Sequence, residues 1–98
     1  MTKPREQILR EKISKYVVRT VKEYNELVSH GCEEIARMEL FKVIDVLFEC
    51  EIKIWIMYDE EKRFYNGIPL IKIVKIYWPL QLHPDTVFQY DGNDQNGS

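Results

Sequence analysis

The apolar residues of this 98-residue chain change their spacing once, near Cys50. Before that point they recur at intervals of three and four, which is the period of an amphipathic helix, and after it they alternate with the period of two that strands show. A chain of this length accommodates a single domain, because two separate cores would each be too small to fold. The pattern therefore predicts one α+β domain over residues 1–90, with helices first and strands second.

The N-terminal half predicts two helices. The first is long and covers residues 5 to 29, with Pro4 tolerated in its first turn and Gly31 as its left-handed stop. The second starts at residue 32 or 33 and ends at Phe48, and its apolar residues cover well over half of the circumference. A helix apolar over so wide an arc is buried on more than one side. We therefore expect a buried second helix, as the central core element or at a subunit interface.

The following residues predict an antiparallel β-hairpin or a three-stranded meander. Residues 51–58 and 70–78 are rich in β-forming side chains and are the two long predicted strands. Between them, residues 59–62 read as a polar turn and residues 63–65 as a candidate short middle strand. Asn66-Gly67 is a strong signal for a two-residue hairpin turn. Whether the short middle strand exists decides between the two arrangements.

The remaining sequence signals concern the C-terminal segment and the cellular compartment of the protein. Residues 79–90 predict an extended C-terminal segment, and residues 91–98 predict a flexible tail with nothing to bury. No apolar run approaches the roughly 20 residues of a membrane span, and the N-terminus lacks the apolar stretch of a secretory signal. Two cysteines without a paired framework are typical of a reducing compartment. We expect a cytoplasmic protein, or one in the cytoplasm of an infected host.

The sequence predicts no catalytic residue, metal site or cofactor. His30, Cys32, Cys50 and His83 are of the types that bind zinc. A continuous second helix, however, would separate the two cysteines by roughly 27 Å, at about 1.5 Å per residue. No orienting carboxylate and base accompany Cys32 as a nucleophile, and the chain contains no glycine-rich phosphate loop. We therefore expect a non-enzymatic protein.

The charges are arranged in blocks although the net charge is only -2. Residues 1–22 carry seven Lys and Arg against two Glu, whereas residues 23–61 carry three against eleven acids. On the first helix, four cations fall within about 80° of one another at about 100° per residue. This basic stripe consists of Lys12, Lys15, Arg19 and Lys22. It is either an ordinary solvated face or a phosphate-binding surface.

The basic stripe supports an alternative function, a nucleic-acid-binding protein. A winged-helix-like version would add Lys62 and Arg63 at the tip of the hairpin. In that version the second helix would have to read the major groove, but it carries four acids against Arg37 and Lys42. Duplex DNA repels such a surface, so the basic stripe is the stronger form of this alternative.

The two long strands are apolar on both faces. With strict alternation, Trp55 and Met57 share a face with Lys53, and Tyr77 lies opposite to Trp78 on the second strand. Two helices can cover one face only, so the other face requires a second subunit, a partner protein or the chain's own C-terminal segment. Aromatic residues and Met are typical of interface cores.

The sheet face leads to the main functional prediction from the sequence. We expect a small non-enzymatic protein-interaction module, a homodimeric regulatory or accessory protein whose composition suits a phage, virus or mobile element. Its predicted partner-binding residues are Trp55, Met57, Tyr77 and Trp78.

Overall fold

The chain folds as two helices followed by a two-stranded antiparallel sheet. In a computed structural model, which describes residues 4–64 and 67–82, the elements are α1 (Arg5–Ser29), α2 (Glu33–Glu49), β1 (Lys53–Arg63) and β2 (Pro69–Tyr77). The predicted α+β class and the order of its elements are confirmed. Neither helix of the described part is apolar enough over a sufficient length to cross a membrane. The predicted tail, residues 91–98, and most of the predicted extended segment lie outside the described residues.

α1 ends at the predicted glycine stop. Gly31 has a φ of +82°, and its N–H donates to the carbonyl of Val28 at 3.0 Å. The N–H of Cys32 donates to the carbonyl of Leu27 at 2.9 Å, which completes a Schellman motif. The motif closes the helix end and leaves only a short connection, so α2 folds back beside α1.

α2 ends in the same motif without a glycine. Glu51 has a φ of 62° and donates its N–H to the carbonyl of Phe48, while Ile52 donates to the carbonyl of Leu47, both at 2.9 Å. A left-handed conformation costs a residue with a side chain about 1–2 kcal/mol. Ile52 and Leu47 are both almost fully buried in one core cluster, and this packing holds the strained turn in place.

α1 is the element against which the other elements pack. Six of its residues form a continuous buried stripe along the helix: Leu9, Ile13, Val17, Val21, Tyr24 and Val28. One end of the stripe joins a cluster with Val43 and Leu47 of α2, and the other end joins a cluster with Ala36 and Ile71. The helices therefore cover one face of the sheet, as a two-layer domain requires.

α2 is less buried than its apolar content predicts. Its only buried residues are Ala36, Val43 and Leu47, on the side that faces α1. The prediction of a helix buried on several sides was wrong for the single chain, because α2 packs on α1 and meets the sheet mainly through β1. Its outer side has no covering layer in the part of the chain that the structure describes. The other prediction for this helix, a place at a subunit interface, stays a prediction.

The hairpin is longer and less regular than predicted. β1 continues through residues 59–62, where a polar turn was expected, and ends at Arg63, which pairs with Pro69. Asp59 pairs with Leu70, so the three residues Glu60–Lys62 have no partner in β2 and form an irregular segment of β1. In residues 4–64 and 67–82 there is no separate middle strand, and the arrangement is a hairpin.

The side chain of Asn25 on α1 forms two hydrogen bonds with β2, along the edge of β2 that faces away from β1. Its Nδ2 donates to the carbonyl of Ile71 at 3.2 Å, and the N–H of Ile71 donates to its Oδ1 at 3.0 Å. One amide side chain thus satisfies both backbone groups of a strand residue. The helix and the strand are joined by a paired polar contact as well as by apolar packing.

The two Schellman motifs predict opposite effects of glycine substitutions. Glu51→Gly removes the left-handed strain and should raise the free energy of unfolding by about 0.5–1 kcal/mol. Gly31→Ala, the matched control at the end of α1, introduces that strain and should lower it by about 1 kcal/mol, with no steric contact to add to the cost. Urea unfolding followed by circular dichroism measures both values. Stabilisation by both variants, or by neither, would contradict this account of the helix ends.

Candidate interaction surface

A β-bulge at Val74 decides which side chains of β2 face the helices. Trp55 pairs with Lys75 and Ile56 pairs with Ile73, so Val74 is an extra residue without a partner in β1. An extra residue reverses the alternation of the strand beyond it. The strict alternation predicted for β2 was therefore wrong.

The bulge gathers apolar residues on the inner face and lysines on the outer one. Ile71 and Ile73, before the bulge, and Ile76, after it, all pack against the helices. Seven residues lie on the opposite side and are defined as the outer sheet face: Lys53, Trp55, Met57, Lys72, Val74, Lys75 and Tyr77. All seven are exposed. The outer sheet face is thus a mixed apolar and basic surface.

Three of the four aromatic and apolar side chains on the outer sheet face lie opposite a lysine, and Val74 is the exception. The cross-strand pairs are Lys53 with Tyr77, Trp55 with Lys75, and Met57 with Lys72. The Lys75 ammonium lies 4.9 Å from the centroid of the Tyr77 ring, a cation–π distance. Lysine stems add to the apolar area while their charged ends stay in water. None of the three lysines is paired with a carboxylate within residues 4–64 and 67–82.

Three of the four predicted partner-binding residues lie together on the outer sheet face. Trp55 and Met57 are each 47% exposed, and Tyr77 is 42% exposed. Trp78 is the exception, because it packs against the core cluster between the helices and the sheet. The guanidinium of Arg10 on α1 lies 5.3 Å from the centroid of its ring. The bulge turns Trp78 towards the helices and off the outer sheet face, and its role as a binding anchor stays a prediction.

A concavity joins the outer sheet face to α2. Phe48, near the end of α2, lines it together with Lys53 and Tyr77 at one end of the outer sheet face. The segment 78–81 completes the wall, and Leu80 within it is 98% exposed. The exposed side of α2 and the outer sheet face therefore meet along one edge of the molecule.

The predicted basic stripe lies on the exposed side of α1. Lys15, Arg19 and Lys22 are exposed, whereas Lys12 is half-buried. The Arg19 guanidinium lies 5.2 Å from the centroid of the Tyr16 ring. The stripe is present on the surface as expected, with part of its charge held against an aromatic ring of the same helix.

The stripe extends towards the sheet but not to the hairpin tip. Lys22 and Lys72 line one groove between α1 and β2, together with Glu26. Arg63 binds Glu60 at 2.7 Å and the carbonyl of Gly67 at 2.8 Å, so its charge serves the hairpin itself. Lys62 is exposed in the irregular segment of β1. The structure does not bring Lys62 and Arg63 together with the stripe into one site.

The cysteines and histidines do not converge. Cys32 and Cys50 are free thiols that flank α2 at its two ends. His30 contacts the carbonyl of Glu26 through Nδ1 at 2.7 Å, and His83 lies outside the described residues. The part of the chain that the structure describes contains no group of three or more His, Cys, Asp or Glu side chains placed to hold a metal ion.

Known proteins give no guide to this surface. No protein family model, no curated protein sequence and no solved structure matches the chain. The function of this surface therefore has to be inferred from the chemistry of the residues that form it.

Cys50 is predicted to react slowly with alkylating agents. Burial raises the pKa of its thiol, and the negative charge of Glu49 raises it further. A raised pKa leaves less thiolate at neutral pH, and thiolate is the reactive form. The Cys32→Ser variant isolates Cys50, and its alkylation rate as a function of pH, followed by mass spectrometry, should show a midpoint above that of an ordinary cysteine. The same variant unfolded in guanidinium is the control, and identical midpoints in both states would contradict the prediction.

Proposed function

We propose that this protein is a non-enzymatic interaction module that forms a homodimer through its outer sheet face. The single observation that supports this most strongly is the exposure of Trp55, Met57 and Tyr77 side by side on a sheet face without a covering layer in the described residues. Aromatic residues and Met dominate the energetically important centres of protein interfaces. A cytoplasmic regulatory or accessory role, with no chemistry of its own, is the matching proposal for the whole protein.

The arrangement of the apolar side chains supports binding rather than incidental exposure. Single exposed apolar residues are normal on protein surfaces, whereas contiguous patches mark interaction sites. Here the bulge at Val74 places the exposed residues on one face, and Phe48 extends the patch across the concavity onto α2. The lysines at the patch provide a charged surround that keeps the free chain in solution and discriminates between partners.

Removal of the central side chains should weaken the dimer. The double variant Trp55→Ala/Met57→Ala deletes two adjacent anchors, and truncation of such residues costs about 2 kcal/mol each, so the dimer dissociation constant should rise by roughly 1,000-fold. Sedimentation equilibrium over a range of concentrations measures that constant. Val18→Ala is the matched control, because Val18 is an exposed apolar residue of α1 outside the patch, and it should leave the constant unchanged.

Two results would overturn this proposal. A wild-type chain that stays monomeric at high micromolar concentration would contradict self-association. A double variant that dimerises as well as the wild type would place the contact elsewhere on the molecule.

A second candidate function is binding of nucleic acid by the basic stripe. The groove that Lys22 and Lys72 share favours it, because it joins cations of the helix and of the sheet into one surface. Lysines along such a groove can neutralise successive phosphates of a strand without reading its sequence. Glu26 in the same groove opposes this function.

Charge reversal separates the second candidate from the first. Lys15→Glu/Lys22→Glu should abolish binding of a fluorescent mixed-sequence oligonucleotide at low salt and leave the dimer intact. For the wild type, log K plotted against log salt concentration should have a slope of about -3 if four phosphates of a single strand are contacted. Lys42→Glu is the control, since Lys42 is a cation of α2 that pairs with Glu39 at 3.4 Å. Absence of wild-type binding at low salt would dispose of this candidate.

A further inference from the structure

The outer side of α2 is a second apolar surface without a covering layer in the described residues. Four large side chains there are between 54 and 61% exposed, and they are defined as the α2 stripe: Ile35, Met38, Phe41 and Phe48. They fall within an arc of about 140° at about 100° per residue. α2 therefore has apolar residues on two opposite sides, one in the core and one exposed. Such a distribution is typical of a helix that packs against a further partner.

The charges that accompany the α2 stripe are mainly negative. Glu34, Asp45 and Glu49 lie within the same arc and are exposed. None of the three is paired with a cation within residues 4–64 and 67–82. The one cation in the arc, Lys42, is neutralised by Glu39. This side of α2 therefore interleaves four exposed apolar side chains with three carboxylates that have no cationic partner in the described residues.

The outer sheet face has the complementary composition. Its apolar residues alternate with Lys53, Lys72 and Lys75, and none of its seven residues is acidic. The outer sheet face therefore combines apolar groups with three lysines, and the outer side of α2 combines apolar groups with three carboxylates. The two surfaces are complementary in charge. Complementary potentials of this kind fix the choice and orientation of partners at interfaces.

We propose that the occupant of the outer sheet face is the α2 stripe of a second copy of this chain. The inference rests on the proposed self-association and names the surface that the sheet face binds. The contact is reciprocal, since in a dimer with two-fold symmetry the α2 stripe of each protomer lies on the outer sheet face of its partner. One arrangement thereby covers both apolar surfaces.

The position of the two surfaces on one chain supports a reciprocal contact. Phe48 at the end of the α2 stripe and Lys53 with Tyr77 at the end of the outer sheet face line the same concavity. Two adjacent surfaces can both face a partner across a single two-fold axis, whereas surfaces on opposite sides would form an open chain of subunits. Nucleic acid on the outer sheet face would leave the α2 stripe uncovered, so a second copy accounts for more of the structure.

Two charge-reversal variants test the proposal when they are mixed. The sheet variant is Lys72→Glu/Lys75→Glu, and the helix variant is Asp45→Lys/Glu49→Lys. Each should associate with itself more weakly than the wild type does, because a reciprocal contact then brings like charges together. In an equimolar mixture both contacts are complementary again, since the acidic α2 of the sheet variant meets the lysines of the helix variant, and the reversed charges meet each other.

The measurement is sedimentation equilibrium of each variant alone and of the mixture. Each variant alone should show a dissociation constant at least roughly 30-fold above the wild-type value, from about 2 kcal/mol of lost charge pairing, and the mixture should recover most of that loss. Circular dichroism and thermal unfolding establish that the variants are folded. If a reversed variant unfolds, the neutral pairs Lys72→Gln/Lys75→Gln and Asp45→Asn/Glu49→Gln replace it, and each should weaken the dimer by a smaller factor.

The other outcomes are distinct from one another. A helix variant that dimerises like the wild type, beside a sheet variant that does not, would mean that sheet faces pack on each other, which overturns this inference and leaves the proposed function standing. A sheet variant that dimerises like the wild type overturns this inference, and a monomeric wild type overturns both. A monomeric wild type whose oligonucleotide binding is lost in the sheet variant assigns the outer sheet face to nucleic acid and likewise overturns the inference.

Discussion

Burial of one stripe of α1 is the constraint on which the domain depends. Both core clusters form along that stripe, and α2 and β2 share it. The helices cover one face of the sheet, and α1 covers one side of α2. The other face of the sheet and the other side of α2 are therefore not covered by any of the described residues. A core arranged around a single helix therefore produces two exposed apolar surfaces in a chain of only 98 residues.

The helical half of the fold follows from local sequence signals. The spacing of threes and fours and the position of Gly31 predicted α1 and the start of α2, because helix periodicity and glycine stops act within a few residues. The burial of α2 could not be predicted in the same way. The wide apolar arc of α2 indicates that several of its sides favour burial. The sequence does not indicate whether residues of the same chain or of another chain bury them.

The sequence predicted three residues of the outer sheet face, Trp55, Met57 and Tyr77, but it did not predict the bulge at Val74. Strict alternation places Lys72 and Lys75 on opposite faces, which would press one ammonium group against the helices. A buried unpaired charge is costly, and a bulge between the two lysines removes that cost by moving both to the outer face. This conflict was the available signal for Val74. It would also have placed Trp78 on the inner side, where it packs, and it would have revealed the lysines as part of the outer sheet face.

The left-handed conformation of Glu51 and the continuation of β1 through residues 59–62 could not be predicted from the sequence pattern. Glu51 adopts a left-handed conformation because Ile52 and Leu47 pack together, and that contact depends on the complete core. The polar segment Asp59–Lys62 resembles a turn in composition, yet it continues β1 because Arg63 pairs with Pro69. In both cases tertiary contacts prevail over a local preference, as commonly happens with weak propensities.

The paired hydrogen bonds between Asn25 and Ile71 have a consequence for how copies of this chain can meet. The free border of a small sheet is normally a template on which further strands add, and such growth leads to fibrils. The amide of Asn25 already occupies both backbone groups of Ile71 on that border, at the third residue of β2. Addition of a strand along the border is thereby hindered at this position. The contact that joins α1 to β2 therefore also protects part of the sheet edge from the pairing that leads to fibrils.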